Sequence, residues 1–285
     1  MNKIREVFPS GSLVRVPIVY LHDEVNHVII MEDVGRNAIN LKELLRRPTP
    51  PSAMTATKIG EALGEFIAKL HAWGKTSQGR SSMAFFDGHP QARNIWAWAM
   101  YDRLVDTILG KSETIPLIHD PPLEVTSKEL EKISKFAEER AEEMRTSSET
   151  MVMGDFWSGN VLVDLEWDAN GSEKLRKLFV VDWEVTRPGV AAFDVGQFQA
   201  EIATVRHFNP VCGLATEALD AAFLEGYLSV EPEVDREKAA QHLAVHLVIF
   251  TARVGWTAGD GYNTAEKTRE LVEQGLKSIT SFVMA

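Results

Sequence analysis

Short apolar runs open the chain, and helical spacing of apolar residues dominates most of the remainder. Two β-branched runs, 14–21 and 27–31, flank the polar stretch 23–26 and predict a β-hairpin. Apolar residues at helical spacing then predict helices near 41–47, 59–73, 95–109, 126–144, 193–208, 216–228, 236–256 and 264–282, with Asp194 placed to cap the fifth. The pattern therefore predicts an α+β protein, in which a small β unit precedes a mainly helical body, with a boundary near 35–41.

A second β unit interrupts the helical body. Residues 161–165 and 178–182 predict two paired strands; Asp155 and Asn160 lie in the loop before the first, and Asp182 ends the second. Pairing brings these three side chains to the same end of the hairpin. Their oxygens suit Mg²⁺, and a remaining carboxylate can orient or deprotonate an attacking hydroxyl. Asp and Asn are also common turn residues, so only the joint pattern favours a site over a cap.

Charge and cysteine content narrow the function. The net charge of −11 and the pI near 5.3 argue against a general nucleic-acid or anionic-membrane binder, which needs a basic face. Phosphate charge on a ligand must then be neutralised locally, by a metal or a few basic groups. The single cysteine, Cys212, provides neither a disulfide framework nor a cysteine zinc site, and it favours a reducing, cytoplasmic setting. No apolar segment has the length of a signal peptide or a membrane span.

The residues around the three oxygen-bearing side chains resemble a known family. Gly154–Leu162, Val180–Glu184 and Phe193–Gly196 are similar to motifs of the aminoglycoside phosphotransferase and choline kinase-like family, and 59–71 and 28–35 resemble it more loosely. Members are small-molecule kinases that share the protein-kinase fold. The resemblance implies an ATP-dependent kinase that uses Mg²⁺ and phosphorylates a hydroxyl of a small molecule.

The resemblance also implies a role for individual residues. It assigns the catalytic base to Asp155, Mg²⁺ binding to Asn160 and Asp182, support beside the metal to Glu184, and a brace beneath the catalytic loop to Asp194. Adenine is expected to bind along the linker between the lobes, at Met31, Glu32 and Val34.

Three departures from the family pattern affect the expected activity. Met153 replaces a histidine that orders the catalytic loop in the family, and Ser158 replaces a proline, which favours a more flexible loop. The sequence before Met31 also contains neither a glycine-rich loop nor a convincing phosphate-binding lysine. The resemblance therefore implies an N-terminally shortened kinase, with a remnant of the nucleotide-binding β lobe over 1–35 and a helical C-lobe over 36–285. Such a chain is expected to be a very poor kinase or none.

Two other functions fit parts of the pattern. A catalytically inactive, pseudokinase-like binding protein would keep the shape without turnover. A metal-dependent hydrolase would use the carboxylates of Asp155, Asp182, Glu184 and Asp164 without a nucleotide.

Histidine and aromatic residues near the C-terminus raise two further hypotheses. His242 and His246 are one helical turn apart but have no third ligand, which favours helix packing over a zinc site. The resemblance places an acceptor pocket near Trp256 and Tyr262, where aromatic faces can hold a cationic amine. The acidic balance of the chain suits a cationic acceptor. The sequence leaves the acceptor's identity and the oligomeric state open.

Overall fold

The protein is described by a computed structural model that covers residues 1–9, 11–87, 90–111, 115–168, 172–257 and 264–285. Over these residues the helices are α1 Asn2–Arg5, α2 Leu41–Leu45, α3 Ala53–Lys75, α4 Ser77–Phe86, α5 Pro90–Ala97, α6 Leu104–Leu109, α7 Pro116–His119, α8 Ser127–Thr146, α9 Ala191–Phe208, α10 Gly213–Leu228, α11 Arg236–Phe250 and α12 Ala265–Met284. A π-helical turn, Trp98–Asp102, joins α5 to α6, and the short 3₁₀ helices are Ser158–Asn160 and Pro210–Cys212. Within these ranges no helix is both long and apolar enough to cross a membrane.

The strands form one larger sheet and two small ones. They are β1 Val14–Arg15, β2 Val19–Asp23, β3 Val28–Met31, β4 Ile39–Asn40, β5 Thr150–Val152, β6 Val161–Trp167, β7 Glu173–Val180 and β8 Arg187–Gly189. The larger sheet has the order β1-β7-β6-β4, while β2 pairs with β3 and β5 pairs with β8. The α+β class predicted from the sequence is confirmed.

The hairpin predicted inside the helical body is the centre of the larger sheet. β6 runs antiparallel to β7, with Val161 opposite Val180. β1 joins the outer edge of β7 in parallel, and β4 joins the outer edge of β6 in antiparallel orientation. Both edges of the hairpin are therefore paired, which fixes the end of the hairpin where Asn160 and Asp182 lie.

The first predicted hairpin is correct only in part. Residues 14–21 do not form one strand: β1 pairs with the distant strand β7, and only β2 pairs with β3. Pro17 lies between β1 and β2. Proline has no N–H to donate to a ladder, so the strand is interrupted there and the chain changes sheets.

Several helix predictions also need correction. The helix predicted over 59–73 is longer in the structure: α3 begins at Ala53 and continues past Gly74, which packs closely against the backbone of Met151, to Lys75. The segment predicted as one helix over 95–109 is divided by the π-helical turn, although it does end at Gly110, whose φ is 65°. The helix predicted from 126 begins with a capping box formed by Thr126 and Glu129.

Glycines allow α3 and α10 to pack backbone against backbone. A Cβ on Gly64 would lie 2.1 Å from the carbonyl oxygen of Phe223, whereas a Cβ on Gly213, at the start of α10, would meet nothing within 4 Å. Gly64→Ala is therefore expected to lower the free energy of unfolding by about 1–3 kcal/mol, because the two helices must separate. Gly213→Ala, the matched control, should cause no loss, since alanine favours helix and has room. Urea denaturation measures both, and equal effects would contradict this packing.

Candidate active site

Asp155 lies in the loop between β5 and β6, with both of its carboxylate oxygens hydrogen-bonded. Oδ1 accepts a hydrogen bond from Nε2 of Gln197 at 2.8 Å, and Oδ2 accepts one from Nδ2 of Asn160 at 3.2 Å. The same amide nitrogen donates to the main-chain carbonyl oxygen of Asp155 at 3.1 Å. These contacts hold the carboxylate in one orientation beside Asn160.

The surroundings of Asp155 favour its neutral form. Burial, with added repulsion from Glu201 and Asp182, raises the pKa of Asp155 to about 7, although hydrogen bonds from Gln197 and Asn160 oppose the change. A carboxyl group that exchanges its proton near neutral pH is suited to accept a proton from a hydroxyl.

Asn160 and Asp182 form a corner that offers oxygen atoms to a cation. The carbonyl oxygen of Asn160 accepts a hydrogen bond from the backbone N–H of Val181 at 2.9 Å, so Asp182 comes directly after a residue bonded to Asn160. Asp182 is exposed and has a φ of 62°, a left-handed conformation that aspartate tolerates better than most residues. The amide nitrogen of Asn160 is used toward Asp155. Oδ1 of Asn160 and the carboxylate of Asp182 are therefore two hard oxygen donors. Such a pair fits Mg²⁺, which retains several of its waters.

Glu184 and Asp164 do not add further metal ligands to the corner formed by Asn160 and Asp182. Glu184 is exposed two residues beyond Asp182. Asp164 lies within β6 opposite Lys177, away from the loop that holds Asp155. Across the described ranges, no cluster of three or more histidine, cysteine or carboxylate side chains is arranged to hold a metal.

Asp194 lies beneath the loop that holds Asp155, residues 153–160, and connects it to the helical body. Its buried carboxylate accepts hydrogen bonds from the backbone N–H groups of Met153 at 2.8 Å and Gly154 at 2.9 Å. Nε2 of His71 lies 3.1 Å from the same carboxylate, and Nδ1 of His71 lies 2.7 Å from the Tyr227 hydroxyl. Two helices and the loop therefore meet at one buried carboxylate.

The capping role predicted for Asp194 is wrong. The N-cap residue of α9 is Val190, which makes no side-chain capping bond. Asp194 lies inside the first turn of α9, and its carboxylate is used by the loop instead of by its own helix.

Asp194→Asn is expected to destabilise the fold. An amide offers one acceptor oxygen where the carboxylate offers two, so one loop N–H or His71 loses its partner in a buried site. We expect the free energy of unfolding to fall by about 2–4 kcal/mol. Asp220→Asn is a suitable control, because its hydrogen bond from Gln199 can be kept by an amide oxygen. Urea denaturation at pH 7 compares the two, and a small loss for Asp194→Asn would contradict the bracing role.

The linker residues Met31, Glu32 and Val34 lie at and after the end of β3. The backbone N–H of Glu32 already donates to the carbonyl oxygen of Ile18 at 2.7 Å, and its carboxylate accepts from the N–H of Ile18 at 3.1 Å. A cavity of about 220 Å³ adjoins Glu32 and is lined also by Arg5, Val14, Arg15, Val16 and Ile18. The binding of adenine at these positions stays a prediction.

Trp256 is fully buried, and its ring is already in contact with a cation of the chain itself. The Nζ atom of Lys42 lies 3.9 Å from the centroid of the Trp256 ring. The indole Nε1 donates to the carbonyl oxygen of Thr251 at 3.0 Å. Tyr262, the other aromatic residue expected at an acceptor pocket, lies outside the described residues.

Sequence pattern did not identify Gln197 and Glu201, which the structure places beside Asp155. Both lie on α9 with Asp194, at spacings of three and seven residues, so all three share one face. Three polar residues spaced three and four positions apart on the buried face of α9 are the signal that could have identified them.

The two histidines of α11 have separate partners. Nε2 of His246 lies 3.3 Å from Oε1 of Glu201, whereas Nδ1 of His242 lies 2.7 Å from the Tyr101 hydroxyl. These contacts agree with the packing role that the sequence favours for the pair over a zinc site.

Comparison with known proteins shows the family of this chain. The model of the phosphotransferase enzyme family matches residues 9–241. A 4-hydroxytryptamine kinase of Psilocybe cyanescens is 32% identical over 270 residues, which cover 94% of this chain and 67% of the relative. A 4-hydroxytryptamine kinase of Psilocybe cubensis is 30% identical over 254 residues, covering 88% of this chain and 64% of the relative. The chain thus spans about two thirds of the length of these relatives.

A solved glucosamine kinase is a more distant neighbour, with a TM-score of 0.42 and 15% identity, over 89% of this chain and 61% of that one. The chain belongs to the phosphotransferase enzyme family, has an α+β fold, and has small-molecule kinases among its sequence relatives. The resemblance seen in the sequence is thereby confirmed.

Proposed function

We propose that this chain is the body of an ATP-dependent kinase that phosphorylates a hydroxyl group of a small molecule. The observation that carries the proposal is the environment of Asp155. Its carboxylate is held between Gln197 and Asn160, has a pKa near 7, and lies beside the corner formed by Asn160 and Asp182.

Each of these residues has a distinct part in the proposal. Asp155 orients the acceptor hydroxyl and takes up its proton as the oxygen bonds to the γ-phosphorus of ATP, while the bond from that phosphorus to the bridging oxygen breaks and ADP leaves. Asn160, through Oδ1, and Asp182, through its carboxylate, would hold Mg²⁺, and Glu184 would support this site from the exposed side. When bound, the ion would neutralise phosphate charge on ATP. Asp194 and His71 keep the loop in place, because positioning supplies much of the rate in this chemistry.

The acceptor class is inferred from the relatives and from charge. Both Psilocybe relatives are described as 4-hydroxytryptamine kinases. We infer that the acceptor here is a small hydroxylated compound, with an aromatic amine as the first candidate. The net charge of −11 favours the approach of a cation. Cytoplasmic location stays part of the proposal, on the basis of the single cysteine, Cys212.

A turnover assay tests the proposal. The purified chain is incubated with Mg²⁺ and ATP and a panel of hydroxylated amines that includes 4-hydroxytryptamine, and both ADP and phosphorylated product are quantified. Product that requires ATP, Mg²⁺ and Asp155 supports the kinase, and robust turnover would refute the expectation of a poor enzyme. Binding of ATP without product would favour the pseudokinase-like alternative. Product formed with metal but without nucleotide would favour the hydrolase.

A further inference from the structure

Lys42 is a buried lysine whose ammonium group lies close to two indole rings. Its side chain is 6% exposed, and Nζ lies 3.9 Å from the centroid of the Trp256 ring and 5.3 Å from that of Trp157. Both distances are within the range of attraction between a cation and an aromatic face. Burial lowers the pKa of Lys42, and the negative charge of Glu201 opposes that change. An ammonium group has therefore been placed where water cannot solvate it well.

The backbone that carries Lys42 is fixed by neighbours on both sides. Asn40 precedes α2, accepts a hydrogen bond from the N–H of Glu43 at 2.8 Å, and pairs with Leu162 in the larger sheet. Leu41 and Leu44 are fully buried. Because α2 cannot shift easily, the Lys42 side chain extends from a rigid position toward the catalytic loop.

The two indole rings are held by contacts that do not involve Lys42. The ring of Trp157 packs over Gly159 so closely that a Cβ on this glycine would lie 2.2 Å from the nearest ring atom. Trp256 is oriented by its hydrogen bond to Thr251. The aromatic faces are therefore set in place independently of the cation close to them.

Glu201 supplies a negative charge that acts on Lys42 without a direct ion pair to it. It is 5% exposed; Oε1 faces His246, and Oε2 has no hydrogen-bond partner among the described residues. A buried carboxylate oxygen without a donor favours a positive charge nearby. Two indole faces and one carboxylate are the chemical groups that bind ammonium ions in proteins.

We propose that Trp157, Trp256 and Glu201 form an internal ammonium site beside the catalytic loop, and that Lys42 fills it and excludes other ammonium ions. Lys42 is then a residue that determines specificity, since it closes the aromatic site to amine ligands. The link to acceptor choice rests on the proposed kinase function: an amine on the acceptor would have to be recognised elsewhere in the cleft. The existence of the filled site does not depend on turnover.

The proposal is tested with a variant that lacks the Lys42 ammonium group and with a free amine that can take the place of that group. Lys42→Ala removes the ammonium and its stem, and n-butylammonium supplies both. We expect Lys42→Ala to bind n-butylammonium at least about tenfold more tightly than the wild type does, with a rise in melting temperature and a change in tryptophan fluorescence. n-Butanol, which has a similar size but no charge, should bind the variant at least about tenfold more weakly than the amine. Lys58→Met, an exposed substitution on α3, controls for general charge effects.

Each outcome of this titration either supports or overturns the proposal. Equal binding of the amine by wild type and variant would overturn the proposal, since Lys42 would then exclude nothing. Failure of the variant to bind the amine, or equal binding of amine and alcohol, would overturn it too. If circular dichroism shows that Lys42→Ala is unfolded, Lys42→Ser replaces it in the same titration. Because no phosphate transfer is measured, failure here is distinct from failure of the kinase assay.

Discussion

Asp155→Asn is expected to lower kcat for phosphate transfer by about 10²–10⁴-fold, because the amide cannot accept the proton of the acceptor hydroxyl. The isosteric change keeps an oxygen for Gln197 or Asn160, so the loop should stay in place. Asp164→Asn, on the same hairpin, is the matched control and should leave kcat unchanged. Steady-state kinetics with saturating ATP and Mg²⁺ measure both. Equal losses in the two variants would favour the hydrolase arrangement over the kinase.

Asp155→Asn should also change the pH dependence of stability, which can be measured without enzyme turnover. The folded state holds the Asp155 proton up to about pH 7, whereas the unfolded chain releases it near the ordinary value of 3.8. Wild-type stability is therefore lost as the pH rises from about 4 to about 7, by up to roughly 4 kcal/mol for a shift of this size. Asp155→Asn should lack this loss and be more stable than wild type at pH 8 without Mg²⁺. Urea denaturation at about pH 4.5 and pH 8 measures the difference, and parallel pH profiles would contradict it.

Asp182→Asn is expected to weaken the metal site without changing the backbone. Asparagine tolerates the left-handed conformation at this position, so the turn after β7 should be kept. The lost charge should reduce kcat with Mg²⁺ and ATP by at least about 100-fold, because phosphate charge is no longer neutralised there.

A thermal-shift titration separates this loss from a folding defect. Wild type should gain melting temperature when Mg²⁺ and a non-hydrolysable ATP analogue are added together, and Asp182→Asn should gain much less. For Glu184→Gln, two residues further along, the gain in melting temperature should lie between those of wild type and Asp182→Asn. A full shift with Asp182→Asn would show that the metal binds elsewhere.

The parts of the site that could be predicted from sequence are those set by local pattern. The alternation over 161–165 and the apolar run over 178–180 predict the hairpin, which places Asp182 at the same end as Asn160. The pairing requires no knowledge of distant contacts. Local pattern was therefore enough to place Asn160 and Asp182, the two proposed oxygen ligands, at one end of the hairpin.

The features of the site that local pattern did not predict depend on contacts between distant segments. Capping is the commonest use of an aspartate near a helix start, yet at Asp194 tertiary contact with Met153 and Gly154 takes precedence. Lys42 lies in the short helix α2, and only the folded structure shows that it meets Trp256. Periodicity alone cannot supply such pairs.

The pairing of β1 with β7 has a consequence for how the protein folds. Val14 meets Leu178 across a large sequence separation, and β4 closes the opposite edge of the sheet. Contacts of this kind form slowly, because the entropy cost of closing a long loop comes before the contacts can stabilise the chain. We therefore expect a refolding chain to form the local β6–β7 hairpin first and to add β1 and β4 to its edges late, so that hydrogen-exchange protection of the Leu178 N–H, which donates to the carbonyl oxygen of Leu13, would report the final stage of folding.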